Sequence, residues 1–505
     1  MNFAATLTHS ARAHPRRPAL VFQGKEIRFD ELNLRVNRFA NGLRAAGLTD
    51  GEVVAIFMSN RPEAIEAYWA AAKVRLIVIP LNSMLQTAEL AGIFELARVR
   101  CCVVEAGLAD RLPPSNGARI DLVVKSDTDL PSSYEAFLDG GNGAEPAIDI
   151  APEDLCTVMF SSGTTSRPKG ITNTQRARAV ACHIYATEFG LTFDSRTLHV
   201  TPLYHNSALI LSLPTLAVGG CVVLERQFDP DRTLELCTRH QITHTLLVPT
   251  QLRRMLADRR DGRRFPDSLH CLVSVGEPLP ESVRLRTLAE LTPNLYTMYG
   301  ISEGLASVLR PEWQATRGDT VGVPVLYTDI RIADESGNPM PPQAVGEIVG
   351  RSARQMSGYF RDPEATAATL KNGWIHTGDL GTIDNDGFLR VVGRKKDMII
   401  SGGVNIYPID IEQAVLTYAG VAEAAVVGVA DDRWGEVVKL VVVPAPGADL
   451  SVNALQDWCH VHLPGYQRPK LIEVRPALPR NATGKVLKQD LVIPFAHPLN
   501  PKKEP

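Results

Sequence analysis

Residues 161–170 read SSGTTSRPKG, a run of hydroxyl side chains with two glycines and one lysine, directly after the apolar stretch LCTVMF at 155–160. A strand that runs into such a turn exposes backbone N–H groups and hydroxyls on one concave side. That arrangement binds phosphate oxygens. Glycine lets the backbone approach a phosphate closely, and a lysine adds a mobile positive charge. The run is not a Walker A loop, which needs GxxxxGK[ST]. Here Gly163 is followed five residues later by Pro168, then by Lys169 and Gly170. Alone, the alternative is an ordinary polar loop with a solvated lysine.

The elements that must hold this loop are legible as short β-branched runs between helical patterns. VVAIF (53–57), LIVIP (76–80), CCVV (101–104), LVV (122–124), CVVLE (221–225), THTLLVP (243–249) and HCLVSVG (270–276) read as strands. Between CVVLE and THTLLVP lies DPDRTLELCTRHQ, with Asp229 as a candidate cap, a proline in the first turn, and leucines at 234 and 236. That is a β-α-β unit with a parallel, right-handed crossover. Continuous apolar strands alternating with helices predict an α/β fold whose sheets are covered on both faces. Residues 126–152, with SDTDLPSS and DGGNGAEPA, read as an exposed connection. Beyond residue 393 the texture changes. A helix pattern (409–419), strands at 424–429 and 437–443, a helix at 451–462 and a strand at 471–474 predict a small separate α+β domain.

The chain has 505 residues, enough for two to four structural units and for a core needing no metal or disulfide. A net charge of −3 gives no bulk attraction to nucleic acid or to anionic membrane. The densest basic cluster, RRDGRR (259–264), reads as a solvated loop. The eight cysteines form no CxxC pair and mostly sit in apolar runs, so they are expected to be buried reduced thiols. No run of 18 apolar residues is present, the N-terminus lacks a secretory pattern, and the final KKEP is not a peroxisomal address. A cytoplasmic protein without integral membrane association is the expectation.

SSGTTSRPKG closely resembles the signature loop of the adenylate-forming superfamily of acyl-CoA synthetases, adenylation domains and luciferases. The family's other motifs follow in order: PLYHN (202–206), VGEPLP (275–280), YGISE (299–303), GWIHTGD (373–379), GRKKDMIISGG (393–403) and PRNATGKVLK (479–488). The resemblance spans essentially the whole chain. It implies a large N-terminal ATP- and acid-binding domain of α/β-layered sheets over 1–393, a hinge at 394–396, and a small mobile α+β domain over 397–505. It also implies ATP, Mg2+ and coenzyme A as co-reactants, a small-molecule carboxylic acid as substrate, and no nucleic acid; a homodimer is left open.

By that resemblance, a carboxylate first attacks the α-phosphate of ATP, giving an acyl-adenylate and pyrophosphate; a thiol then takes the acyl group and AMP leaves. Ser161 and Ser162 open the phosphate loop, Thr164, Thr165 and the Gly163 backbone hold the β- and γ-phosphates, and Lys169 lies near them. Glu303 is the magnesium ligand, since a hard cation prefers oxygen and one carboxylate plus ATP oxygens suffices. Ser302 stands where the family usually has threonine and keeps the hydroxyl for the α-phosphate. Tyr299, with Gly300 after it, stacks on adenine; Gly276, Glu277 and Pro278 form the adenine turn, although Glu277 also reads as a plain surface glutamate. Asp379 accepts the ribose hydroxyls with Arg394 as its basic partner. Lys485 bridges the substrate carboxylate and the α-phosphate.

Lys395 matches the hinge position, and Gly402 and Gly403 line the thiol tunnel or, alternatively, make a plain turn. His205 gates between the acyl pocket and that tunnel. Trp434, Arg468 and Lys470 resemble CoA contacts, and Asp410 replaces the family's usual glutamate. These expectations converge on an AMP-forming acid–thiol ligase acting on CoA. The rivals are an adenylation enzyme loading a carrier protein, a luciferase-like oxygenase, and a retired nucleotide-binding scaffold, which would be expected to have lost Lys485 or Glu303. Pocket candidates are His205, Asn206, Ser207, Val275, Met298 and Ile301; none supplies a cation for a second substrate carboxylate.

Overall fold

A computed structural model describes residues 2–115, 119–124, 133–161, 168–257, 262–480 and 486–492 of the chain. The fold is mixed α/β, as the sequence predicts, and divides into two compact units: 1–330 with 349–376, and 331–348 with 377–505.

In the first unit a nine-stranded sheet runs in the order Val323–Pro324, Ala306–Leu309, Leu295–Gly300, Cys271–Val275, His244–Leu246, Arg196–His199, Cys221–Leu224, Pro18–Phe22, Lys25–Arg28. From Leu295–Gly300 to Pro18–Phe22 all neighbours are parallel. The expected β-α-β unit is present: Asp229 accepts a hydrogen bond from the Arg232 N–H, Pro230 opens the helix Pro230–Arg239, and Leu234 and Leu236 are buried. Its two strands are not adjacent, because Arg196–His199 lies between them.

A seven-stranded sheet has the order Gly358–Tyr359, Lys169–Thr174, Leu155–Ser161, Ile77–Pro80, Val53–Phe57, Val99–Glu105, Ile120–Val124. The strands from Leu155–Ser161 to Ile120–Val124 are parallel, and Lys169–Thr174 returns antiparallel. Val53–Phe57 and Ile77–Pro80 are buried throughout, which is why they read as unbroken apolar runs. All eight cysteines are buried and free.

The stretch 126–152 is not merely an exposed connection. Ser133–Asp139 is helical, with Tyr134 and Leu138 buried. Tertiary contacts impose it. Glu66, sealed inside the helix Pro62–Lys73, takes a charged hydrogen bond of 2.6 Å from Arg35 and another of 2.7 Å from the Tyr134 hydroxyl. Arg35 also reaches Glu135 at 2.7 Å. Farther on, the buried Lys73 ammonium holds Glu145 at 2.7 Å, and burial pulls the Lys73 pKa down to about 8. These partners lie 31 to 100 residues apart, so local composition does not reveal them.

In the second unit, a five-stranded sheet orders Val404–Ile406, Ile399–Ser401, Gly435–Pro444 and Val421–Asp431, with Leu471–Val474 parallel to Gly435–Pro444. The helices Pro408–Val415 and Val452–His462 pack on it through Ile411, Val415, Leu455 and Cys459. The unit begins earlier than the expected 393/397 boundary. Residues 379–383 pair with 389–394 as a hairpin, so this arm belongs to the second unit. Among the described residues no helix is long and apolar enough to cross a membrane.

Removing Glu66 leaves the Tyr134 hydroxyl sealed without its acceptor and Arg35 with Glu135 alone. Glu66→Ala is therefore expected to cost about 1–3 kcal/mol of stability, read by urea unfolding.

Candidate functional site

The parallel strands Cys271–Val275 and Leu295–Gly300 pair in the register Val275↔Met298, so their carboxyl ends lie side by side. In open α/β sheets this is the edge that takes ligands. Gly276 leaves the first strand at φ +102°, a conformation that favours glycine. The expected adenine turn, Gly276, Glu277 and Pro278, thus sits beside Tyr299 and Gly300. Glu277 lies 3.9 Å from Arg253, so its carboxylate is part of a surface charge pair.

After Gly300 the chain makes a tight turn, with the Ile301 N–H donating to Leu305 O and the Gly304 N–H to Ile301 O. Ser302 and Glu303 are carried at its apex. A second segment braces it. The Met356 N–H donates to the Glu303 carbonyl at 2.7 Å, and the Ser352 hydroxyl donates to the Gly304 carbonyl at 2.8 Å. A Cβ on Gly304, which has φ +134°, would stand 2.4 Å from Gln355 Cα. Only glycine permits so close an approach.

The Tyr359 hydroxyl donates to Glu303 Oε1 at 2.8 Å. Burial, reinforced by the Glu303 charge, lifts the Tyr359 phenol well above its ordinary range, so it stays protonated as the donor. Tyr359 belongs to the short strand Gly358–Tyr359, paired antiparallel with Lys169–Thr174. Lys169 Nζ lies 5.1 Å from the centre of the same tyrosine ring. One ring therefore stands between a lysine at the end of the expected phosphate loop and the expected magnesium ligand. Among the described residues nothing bonds the second Glu303 oxygen. No cluster of three or more His, Cys, Asp or Glu ligands exists among them either. A single carboxylate of this kind fits Mg2+, which takes oxygen ligands and keeps several waters or substrate oxygens. Tyr359 and Ser352 were not legible as site residues; the GY pair at 358–359 has no local chemical signal.

His205 precedes the short helical turn Asn206–Ala208 and packs against the Tyr204 ring at 4.5 Å. Burial pulls its pKa down to about 4, so the imidazole is neutral at physiological pH. Val275 and Met298 lie in one apolar cluster with Tyr185, Phe189, Ile210 and Leu246. Ser161 ends its strand, and Ser162, Gly163, Thr164 and Thr165 lie outside the described residues, as does Lys485.

In the second unit Asp379 is paired across the hairpin with Arg394, and the Arg394 Nε–Asp379 Oδ1 distance is 3.0 Å. Asp379 is nearly buried while Arg394 is open to solvent. Thr377 donates to Ile348 O and accepts from the Asp379 N–H, which fixes the turn. Gly402 and Gly403, at φ +58° and +82°, are the two central residues of the hairpin Ile399–Ser401/Val404–Ile406. The plain-turn reading thus accounts for their backbone. The Gly402 N–H donates to Trp434 O at 2.8 Å, and a Cβ on Gly402 would stand 2.8 Å from the indole. Nothing lies within 4 Å of a Cβ on Gly403. Asp410 lies 3.9 Å from Arg390.

Comparison with known proteins agrees with this geometry. The family model described as AMP-binding enzyme matches residues 7–360, and that of the AMP-binding enzyme C-terminal domain matches 410–485. A feruloyl-CoA synthase from Amycolatopsis sp is 36% identical over 484 residues, covering 95% of this chain and 96% of that protein. An indoleacetate–CoA ligase from Aromatoleum aromaticum is 32% identical, covering 97% and 98%. The solved O-succinylbenzoate coenzyme A synthetase from Bacillus subtilis, in complex with ATP and magnesium ion, superposes with a TM-score of 0.85 at 29% identity, covering 96% of this chain and 98% of that one.

The contact at Gly304 makes a definite prediction. Gly304→Ala is expected to destabilise the first unit by about 1–3 kcal/mol in urea unfolding, from backbone strain and overpacking together.

Proposed function

The chain belongs to the AMP-binding enzyme family, and on that premise we propose that it is a carboxylate–CoA ligase that activates an aromatic acid through an acyl-adenylate. ATP, Mg2+ and CoA are its co-reactants. The observation that carries the reading is the Glu303 carboxylate held by Tyr359, with Lys169 over the same ring. Attack of one anion on another requires charge compensation placed in advance. Lys169 supplies a cation at the end of the phosphate loop. Glu303 would hold the magnesium ion, whose charge would offset that of the phosphates. Tyr359 fixes the carboxylate by bonding one oxygen and leaving the other for the metal. The carboxyl edge at Gly276, Tyr299 and Gly300 takes the adenine, and Asp379 with Arg394 takes the ribose.

Lys485 serves the first half-reaction by bridging the substrate carboxylate and the α-phosphate. The hairpin at Gly402 and Gly403, with Trp434 against it, serves the second by receiving the pantetheine arm of CoA. The residues 394–396 act as the hinge through which the small domain presents a different set of residues in each step. An aromatic acid is favoured by the apolar cluster of Val275 and Met298, which also holds the Tyr185 and Phe189 rings. Feruloyl-CoA synthase and indoleacetate–CoA ligase, by their names, also act on acids with aromatic rings. Neutral His205 suits a position beside the acyl group, since it adds no charge there.

Lys485→Ala is expected to slow adenylate formation by about 10²–10³-fold, the loss typical of one preorganised transition-state donor. Thioester formation from a supplied acyl-adenylate should change by less than a few-fold. An equal fall in both half-reactions would remove Lys485 from its assigned step.

A further inference from the structure

Two guanidinium groups lie buried beside the apolar cluster of Val275 and Met298, and among the described residues neither meets a carboxylate. Arg178, on the helix Gln175–Phe189, is 6% exposed. It donates to Asn206 Oδ1 at 3.1 Å, Thr157 Oγ1 at 2.7 Å and Asn173 Oδ1 at 2.6 Å, all neutral acceptors. Its Nε is sealed without a partner. Arg354 is 5% exposed, and its Nε is likewise sealed and unpaired. Its guanidinium makes no side-chain hydrogen bond within the described residues; it rests over the Tyr185 ring, 5.2 Å from its centre. Burial pulls the Arg354 side chain below arginine's ordinary range, and the positive charge of Arg178 adds to the effect.

Two like charges buried together without a counterion oppose folding, because desolvation and repulsion are both unfavourable. Such an arrangement persists where an anion completes it. The position of the pair identifies which anion. Arg178 bonds Asn206, the residue after His205. Arg354 sits on the segment whose Ser352 and Met356 brace Glu303 and Gly304. Tyr185, beneath Arg354, belongs to the cluster that holds Val275 and Met298. Both cations are thus held by neighbours of the expected acyl-pocket residues: Asn206, which follows His205, and Tyr185, which shares a cluster with Val275 and Met298.

We infer that Arg354, backed by Tyr185 and Arg178, receives a second carboxylate on the acid substrate, so that the enzyme ligates one carboxyl group of an aromatic dicarboxylic acid. The inference rests on the proposed ligase reading for the reaction, but the binding it describes stands apart from catalysis. It also revises the expectation that the pocket offers no cation for a second carboxylate, which considered only residues near the recognised motifs.

The test compares matched acids, terephthalate against benzoate and 4-carboxycinnamate against cinnamate, in the full-length wild type, Arg354→Met and Arg354→Lys. Pyrophosphate release with ATP and Mg2+ gives kcat/KM for each acid, and thermal shift without ATP gives binding. The wild type is expected to prefer the dicarboxylate of at least one pair, and Arg354→Met to lower that preference about tenfold or more, the worth of a charged hydrogen bond. Arg354→Lys should keep part of it. Free Arg354→Met is expected to melt no lower than the wild type, because it removes an uncompensated buried charge. A wild type that favours the monoacid of both pairs, or a preference that Arg354→Met leaves unchanged, overturns the inference. If no acid releases pyrophosphate, the ligase reading fails. A dicarboxylate-specific thermal shift lost in Arg354→Met still upholds the anion site, and its absence overturns that too.

Discussion

The hydrogen bond from Tyr359 to Glu303 is the joint on which the site depends. Glu303 follows the end of a strand in the nine-stranded sheet, and Tyr359 lies on the edge strand of the seven-stranded sheet. The bond, with that from Met356 N–H to Glu303 O, fixes a carboxylate from one sheet against the strand Gly358–Tyr359, which pairs with Lys169–Thr174 of the other. A carboxylate left to itself on a tight turn would sample several rotamers. Here one oxygen is occupied by a phenol that burial keeps protonated, and the close contact at Gly304 leaves the turn no slack. Preorganisation of this kind is what electrostatic catalysis requires.

Charge elsewhere in the molecule obeys the same logic with different outcomes. Glu66 and Lys73 are buried and each has its counter-ion, so they clamp helices. Asp379 has Arg394, which holds a nearly buried carboxylate in place. Among the described residues Arg178 and Arg354 meet no carboxylate, and on the inference drawn above that difference separates a structural charge from one that receives a ligand.

Much of this was legible in the sequence. The strand runs at 53–57, 221–225 and 270–276 announced themselves because strands buried on both faces read as continuous apolar segments. Asp229 and Pro230 marked a helix start through local capping chemistry. Glu303, Asp379 and Arg394 were singled out because they sit in motifs that resemble those of the adenylate-forming superfamily. The helix Ser133–Asp139 was missed because the Tyr134 and Glu135 bonds to Glu66 and Arg35 are long-range, and its flanks are rich in Gly, Ser and Asp. Tyr359, Ser352 and Arg354 were missed for the same reason: each acts through a partner from 48 to 169 residues away, with no periodicity or spacing to betray it.

The central claim is that acid activation and thiol transfer are two successive steps joined by an adenylate. It is tested most directly by supplying ATP, Mg2+ and a panel of aromatic carboxylates, and measuring pyrophosphate and AMP with and without CoA. The account predicts that pyrophosphate appears only when an accepted acid is present, and that sustained AMP release needs CoA as well. AMP turnover equally fast without CoA, or pyrophosphate release that is indifferent to the acid, would contradict it.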